Sequence, residues 1–202
     1  MATHNITTGD GVYEYFVQQS NAMAVAAGKS PMRWEEVWKH FGTALHPSTI
    51  VHAWLSSEAL FEAASAGYRT VFSVNRESYY LDFLDVQWSA VYDVDILKGL
   101  QNATSAKFIL GGQMCMWGET IDAGNVLSVI WPRAAAAAER LWSYNFDSAS
   151  SKSWDTIIRF AQLRCSFLEA GVPAPLPGVA NAGDMRPAWT VGSCGGGFKK
   201  LC

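Results

Sequence analysis

Trp117-Gly118-Glu119 sets a large flat ring and a carboxylate two residues apart, just past the apolar run Phe108-Ile109-Leu110 and its stop at Gly111-Gly112. A short apolar run ended by glycines predicts a fully buried parallel strand, and the loop after such a strand is where a parallel α/β barrel builds its active site. Two more tryptophans stand in the same relation to a strand. Trp34 closes Pro31-Met32-Arg33-Trp34, and Trp54 closes Thr49-Ile50-Val51-His52-Ala53-Trp54. All three rings are therefore expected at the C-terminal face of a barrel, where they could wall a box. A polar and aromatic loop after another strand contains Tyr79-Tyr80-Leu81-Asp82, which adds phenol hydroxyls and a second carboxylate. Flat rings suit a sugar, because a ring face packs on the apolar C–H side of a pyranose, although on composition alone tryptophan is more often a core residue. Taken alone, Asp82 and Glu119 are also candidates for the acid and nucleophile of an ordinary retaining glycosidase. Glu35 and Glu36 follow the first strand directly; adjacent residues on a strand point to opposite faces, so the two are not expected to address one bond.

The elements that must hold these residues alternate. From Asp10, read as an N-cap, Val12, Tyr13, Phe16, Val17, Met23 and Ala24 recur near helical spacing until Gly28. A helix is expected from about Ser57 to Ala66, stopped by Gly67, followed by a strand over Tyr68–Ser73 and the loop Asn75–Trp88. The last strand covers residues 106 to 112. Pro132 is expected to open the next helix, carried by Ala134 to Ala138, Glu139, Arg140 and Leu141. A final helix shows the stripe Trp154, Ile157, Ile158, Ala161, Cys165 and Leu168, ended by Gly171, Pro173 and Pro175. Strands alternating with helices imply parallel βαβ units, yet four strands do not close a barrel of eight, which takes about 250 residues. The expected architecture is α/β: about four βα units, half of a TIM (β/α)8 barrel, over residues 1–175, with a glycine-rich tail over 176–202. The run Gly195-Gly196-Gly197 has no strand before it and no helix after it, so it is not read as a phosphate cradle.

Two separated strings, GGQMCMWGE and WPRAAAAAERLW, occur in order and closely resemble the last strand, loop and helix of the catalytic barrel of β-N-acetylhexosaminidases, glycoside hydrolase family 20. From about Gly11 to Pro175 the chain resembles the C-terminal half of that barrel. The resemblance implies hydrolysis of terminal N-acetylhexosamine residues by a retaining, substrate-assisted mechanism, in which the substrate's own acetamide oxygen attacks the anomeric carbon. It matches Trp34, Trp54 and Trp117 to the rings that box the acetamide methyl. It matches Tyr80 to the hydroxyl on the acetamide carbonyl, and Asp82 and Glu119 to carboxylates that bond sugar hydroxyls. Nothing in this chain matches the family's catalytic Asp-Glu pair or its sugar-binding arginine, so both are expected upstream and the isolated chain is expected to be inactive. A non-enzymatic half-barrel that binds glycans is the alternative. The resemblance also implies a disulfide from Cys165, on the last helix, to Cys194 or Cys202 in the tail.

Composition sets the outer limits. In 202 residues, half are apolar and the formal net charge is -3 with no lysine or arginine cluster, which argues against a nucleic-acid or anionic-membrane partner. No apolar run reaches the roughly 18 residues of a membrane span. Residues 1 to 7 lack the basic and apolar regions of a signal peptide, while the sequons at Asn5 and Asn102 and the cysteine-bearing tail look secretory. A lysosomal or secreted whole protein, with a missing N-terminal half that carries the targeting signal, reconciles them. A homodimer or completion by that half is expected. The four histidines show no ligand spacing, Cys115 is read as a buried thiol, and neither metal nor cofactor is implied.

Overall fold

The computed structural model describes residues 6–75, 79–83, 86–143 and 150–174. The elements run α1 Gly9–Ala26, β1 Met32–Trp34, α2 Glu35–Phe41, β2 Ile50–Ala53, α3 Ser57–Ser65, β3 Arg69–Phe72, α4 Trp88–Tyr92, β4 Ile109–Gly112, α5 Val126–Ile130, α6 Arg133–Ser143 and α7 Trp154–Glu169. Two compact units are built from them, one from Met1–Asn75 with Ile96–Gln113, the other from Arg76–Asp95 with Met114–Cys202.

The first unit is a parallel sheet in the order β1-β2-β3-β4. Its register pairs Met32 with Ile50 and Trp34 with His52, then His52 with Val71 and Ala53 with Phe72. Because side chains alternate along a strand, Trp34 and His52 share one face while Val51 and Thr70 share the other. The second of these faces carries the core: Val51 packs with Val17 of α1, Val37 and Trp38 of α2, and Ala59 and Ala63 of α3. Tyr68 joins them and donates its hydroxyl to the carbonyl of Leu45 at 2.7 Å. Arg33, one residue from Trp34 and so on the helix side, donates to Asn21 Oδ1 of α1 at 2.8 Å.

Three local expectations are corrected. The cap of α1 is Thr8, whose Oγ1 accepts from the Gly11 N–H at 3.1 Å; Asp10 lies in the first turn, where a negative charge still favours the helix N-terminus. Glu35 and Glu36 open α2 rather than extending β1, so they are a helical turn's first residues and not strand neighbours. The strand at Phe108 to Leu110 is not fully buried. Among the described residues β4 is an edge strand that pairs with β3 alone, and Leu110 is 54 % exposed.

In the second unit α4 packs on α6. Trp88 of α4 stacks on Phe160 of α7 with centroids 4.4 Å apart, and Tyr92 meets the same ring edge-on at 5.6 Å. Arg140 of α6 lies over the Tyr92 ring at 5.0 Å, and Tyr92 donates its hydroxyl to Glu139 at 2.8 Å. Pro132 stands one position before α6 rather than inside it, and its carbonyl accepts the Ala136 N–H at 3.1 Å. Residues 175–202, with the tail and both of its cysteines, fall outside the described residues, as does Asn5.

Candidate active site

Trp34 and Trp54 belong to the first unit, while Tyr80, Asp82, Trp117 and Glu119 belong to the second. Parallel strands end at the same level, so the residues at the C-terminal ends of β1 and β2 are neighbours. Trp34 and Trp54 accordingly meet edge to face, with ring centroids 6.3 Å apart and planes at 76°. Trp34 keeps 40 % of its surface exposed, which leaves a ring face for a ligand. Beneath it His52 stacks at 4.2 Å and 16°, buried, and burial holds its imidazole below the ordinary histidine range. Among the described residues nothing bonds His52 Nε2.

The two glutamates that sequence reasoning set aside both hold Trp54. Glu35 is fully buried, and its Oε2 accepts the N–H of Trp54 and of Leu55 at 2.8 Å and that of Ser56 at 3.3 Å; Lys39 balances its charge through Oε1. Glu36 is exposed, and both its oxygens lie 3.0 Å from the Trp54 indole Nε1. The interstrand register was the signal that could have found this contact. Each β1 residue pairs with the β2 residue eighteen positions on, and the same offset joins Glu36 to Trp54.

The second cluster is made by a single parallel bridge between Tyr80 and Cys115. The Leu81 N–H bonds the Cys115 carbonyl at 2.8 Å and the Cys115 N–H bonds the Tyr79 carbonyl at 3.0 Å, so the loop lies in extended register beside residues 114–117. That register brings the Tyr80 ring 6.4 Å from Trp117 and lets Asp82 Oδ1 accept the Trp117 N–H at 3.3 Å. Burial pushes the Tyr80 phenol up and the neighbouring Tyr79 phenol up to about 12, so both stay protonated and able to donate at neutral pH. Tyr79 is fully buried, whereas Trp117 and Glu119 are exposed and no hydrogen bond to the described residues holds Glu119. Cys115 carries a buried thiol, as expected.

One guanidinium fixes the loop that carries Tyr80 and Asp82. Arg133, the arginine of the WPRAAAAAERLW string and 7 % exposed, donates to the carbonyls of Leu81 at 2.6 Å, Phe83 at 2.8 Å and Val86 at 3.4 Å, and through Nε to Val129 at 2.9 Å. Among the described residues no cluster of three or more histidine, cysteine, aspartate or glutamate side chains is placed to hold a metal ion, and no helix is long and apolar enough to cross a membrane.

Comparison with known proteins decides the family. The profile for the glycosyl hydrolase family 20 catalytic domain matches residues 1–145. The chain belongs to glycosyl hydrolase family 20. It is 42 % identical over 193 residues to beta-hexosaminidase 1 of Arabidopsis thaliana, covering 94 % of this chain and 35 % of that protein. It is 30 % identical over 165 residues to the beta-hexosaminidase subunit beta of Homo sapiens, covering 79 % of this chain and 28 % of that protein. The structure of a Flavobacterium johnsoniae chitobiase superposes with a TM-score of 0.70 at 30 % identity, over 85 % of this chain and 26 % of that one. The family 20 chain therefore spans about a third of the length of the curated relatives it matches. Its parallel strands and helices are part of the family's TIM-barrel catalytic domain, which is the half-barrel that the alternation of elements predicts.

Proposed function

We propose that this chain supplies substrate-binding residues of a β-N-acetylhexosaminidase that removes terminal N-acetylhexosamine from glycoconjugates. The observation that carries the reading is the pair of aromatic clusters in a family 20 chain, Trp34 against Trp54 and Tyr80 against Trp117. In this reading the three tryptophans box the methyl of the 2-acetamido group. Tyr80 donates its hydroxyl to the acetamide carbonyl, a role open to any phenol at neutral pH, where the group is protonated. The acetamide oxygen attacks the anomeric carbon as the glycosidic oxygen leaves; the resulting cyclic oxazolinium ion is opened by water with net retention. Holding nucleophile and electrophile together in this way removes an entropic barrier that can be worth several kcal/mol. Asp82 keeps Oδ2 for a sugar hydroxyl while Oδ1 holds Trp117, and Glu119 accepts from another hydroxyl. The leaving oxygen needs a positioned acid, and our reading gives that role to none of these residues. Completion of the barrel by an N-terminal half or by a second copy, and a lysosomal or secreted setting consistent with the exposed sequon at Asn102, belong to the same proposal.

A binding module without turnover is the second reading, and one observation favours it. Three of the carboxylates beside the rings already hold protein groups: Glu35 and Glu36 hold Trp54, and Asp82 holds Trp117. Hydrolysis of an aryl N-acetylglucosaminide, measured beside the affinity for a non-hydrolysable analogue, separates the two. Binding without turnover by the 202-residue chain, and turnover once an N-terminal half of a family member is added, is the expected result. Binding without turnover in both cases would favour the module, and no selective binding would sink both readings.

A further inference from the structure

We propose that Glu36 is a positioning residue for Trp54, one that sets the plane of that ring and with it the preference for a 2-acetamido sugar. The inference rests on Trp54 being a wall of the acetamide box. A tryptophan side chain turns about two bonds, so fixing its backbone does not fix its ring. Glu35 fixes the backbone: one buried oxygen gathers the N–H groups of three successive residues, Trp54, Leu55 and Ser56. Trp34 touches the ring edge-on and restrains it from one side. Glu36 adds a directional restraint on the indole itself, its two oxygens equidistant, at 3.0 Å, from Nε1. A hydrogen bond to an ionised acceptor is about twice as strong as a neutral one, and this one points the indole N–H at the start of α2. Glu36 is itself exposed and absent from the buried core, so its truncation removes the indole contact without opening a cavity. Adjacent glutamates thus divide one task, and the pair that looks like acid and base in the sequence acts instead on a neighbouring ring.

The test uses the full chain with its tryptophan indoles labelled with nitrogen-15, as wild type and as E36A, E36Q and W54F. The indole N–H resonance of Trp54 is followed by NMR, affinities for N-acetylglucosamine and for glucose are measured, and the thermal midpoint is recorded. E36A should move the Trp54 indole resonance and weaken N-acetylglucosamine binding by up to about tenfold, with glucose binding unchanged and the thermal midpoint lowered by no more than a few degrees. E36Q, whose neutral amide oxygen still accepts, should recover about half of both effects. If W54F loses the preference for N-acetylglucosamine while E36A keeps both resonance and preference, the positioning role is wrong and the box reading stands. A wild-type chain that binds N-acetylglucosamine no better than glucose overturns the box reading and this inference together.

Discussion

Replacing Arg133 should loosen the loop that carries Tyr80 and Asp82 more than any other single change in the second unit. The guanidinium serves three carbonyls of that loop and one of α5, and Leu81, which takes its shortest bond, is only 4 % exposed. A hydrogen bond involving a charged group contributes about 1.5 to 3 kcal/mol, and a buried carbonyl left without a donor keeps its desolvation cost. The bonds to Phe83 and Val86 are worth less, because Phe83 is 44 % exposed and water can replace the lost donor. Together these set the local cost of R133A at about 3 kcal/mol, with R133K recovering roughly a third, since a lysine offers one point charge where the planar fork serves several acceptors. Amide hydrogen exchange reads the effect where it occurs. The N–H groups of Leu81 and Cys115 close the bridge between the loop and residues 114–117, so both should exchange about 100-fold faster in R133A if opening becomes easier by ~3 kcal/mol. Amides of β2, in the first unit, should not change. An R133A protein in which Leu81 and Cys115 exchange at wild-type rates would refute the clamp.

Trp117→Ala should weaken N-acetylglucosamine binding by tenfold or more on the order expected for a buried aromatic contact, whereas Trp142→Ala, at a ring 90 % exposed on α6, should have no effect in the same titration. Peptide mapping of secreted material should find Cys165 joined to Cys194 or Cys202, and its reduction should cost about 3 to 4 kcal/mol in the chain-entropy account; recovery of Cys165 as an alkylatable thiol would count against the pairing. Acid should act through His52. Burial lowers its pKa in the folded chain, so its contribution to stability is present above the ordinary imidazole value of about 6.5 and is lost as pH falls through the lower folded value; H52Q should flatten that limb of the urea-midpoint profile.

What was legible in the sequence was whatever a local pattern encodes. β1 to β4 follow short apolar runs bounded by glycine, proline or a polar turn, and Trp34 and Trp54 read as neighbours because they close adjacent parallel strands. What was not legible depends on a partner far along the chain. An apolar run does not reveal how many neighbours its strand has, so Leu110 reads as buried from its own run, and only the count of four strands makes β4 an edge. The segment Val126-Leu127-Ser128-Val129-Ile130, rich in β-branched residues, gives little helical signal; it is helical because Asp122 Oδ1 accepts the N–H groups of Gly124 and Asn125 and turns the chain into α5. Glu36 and Arg133 belong to the same class. Their types suggest an acid and a helix-opening cation, yet their work is set by the register between β1 and β2 and by a loop some fifty residues upstream of α6. A family motif names the residues that touch a sugar because those are tied to the ligand's chemistry. The residues that hold them in place answer to this chain's own backbone, and for that reason the roles of Glu36 and of Arg133, although Arg133 lies within a family string, emerge only from hydrogen-bond geometry.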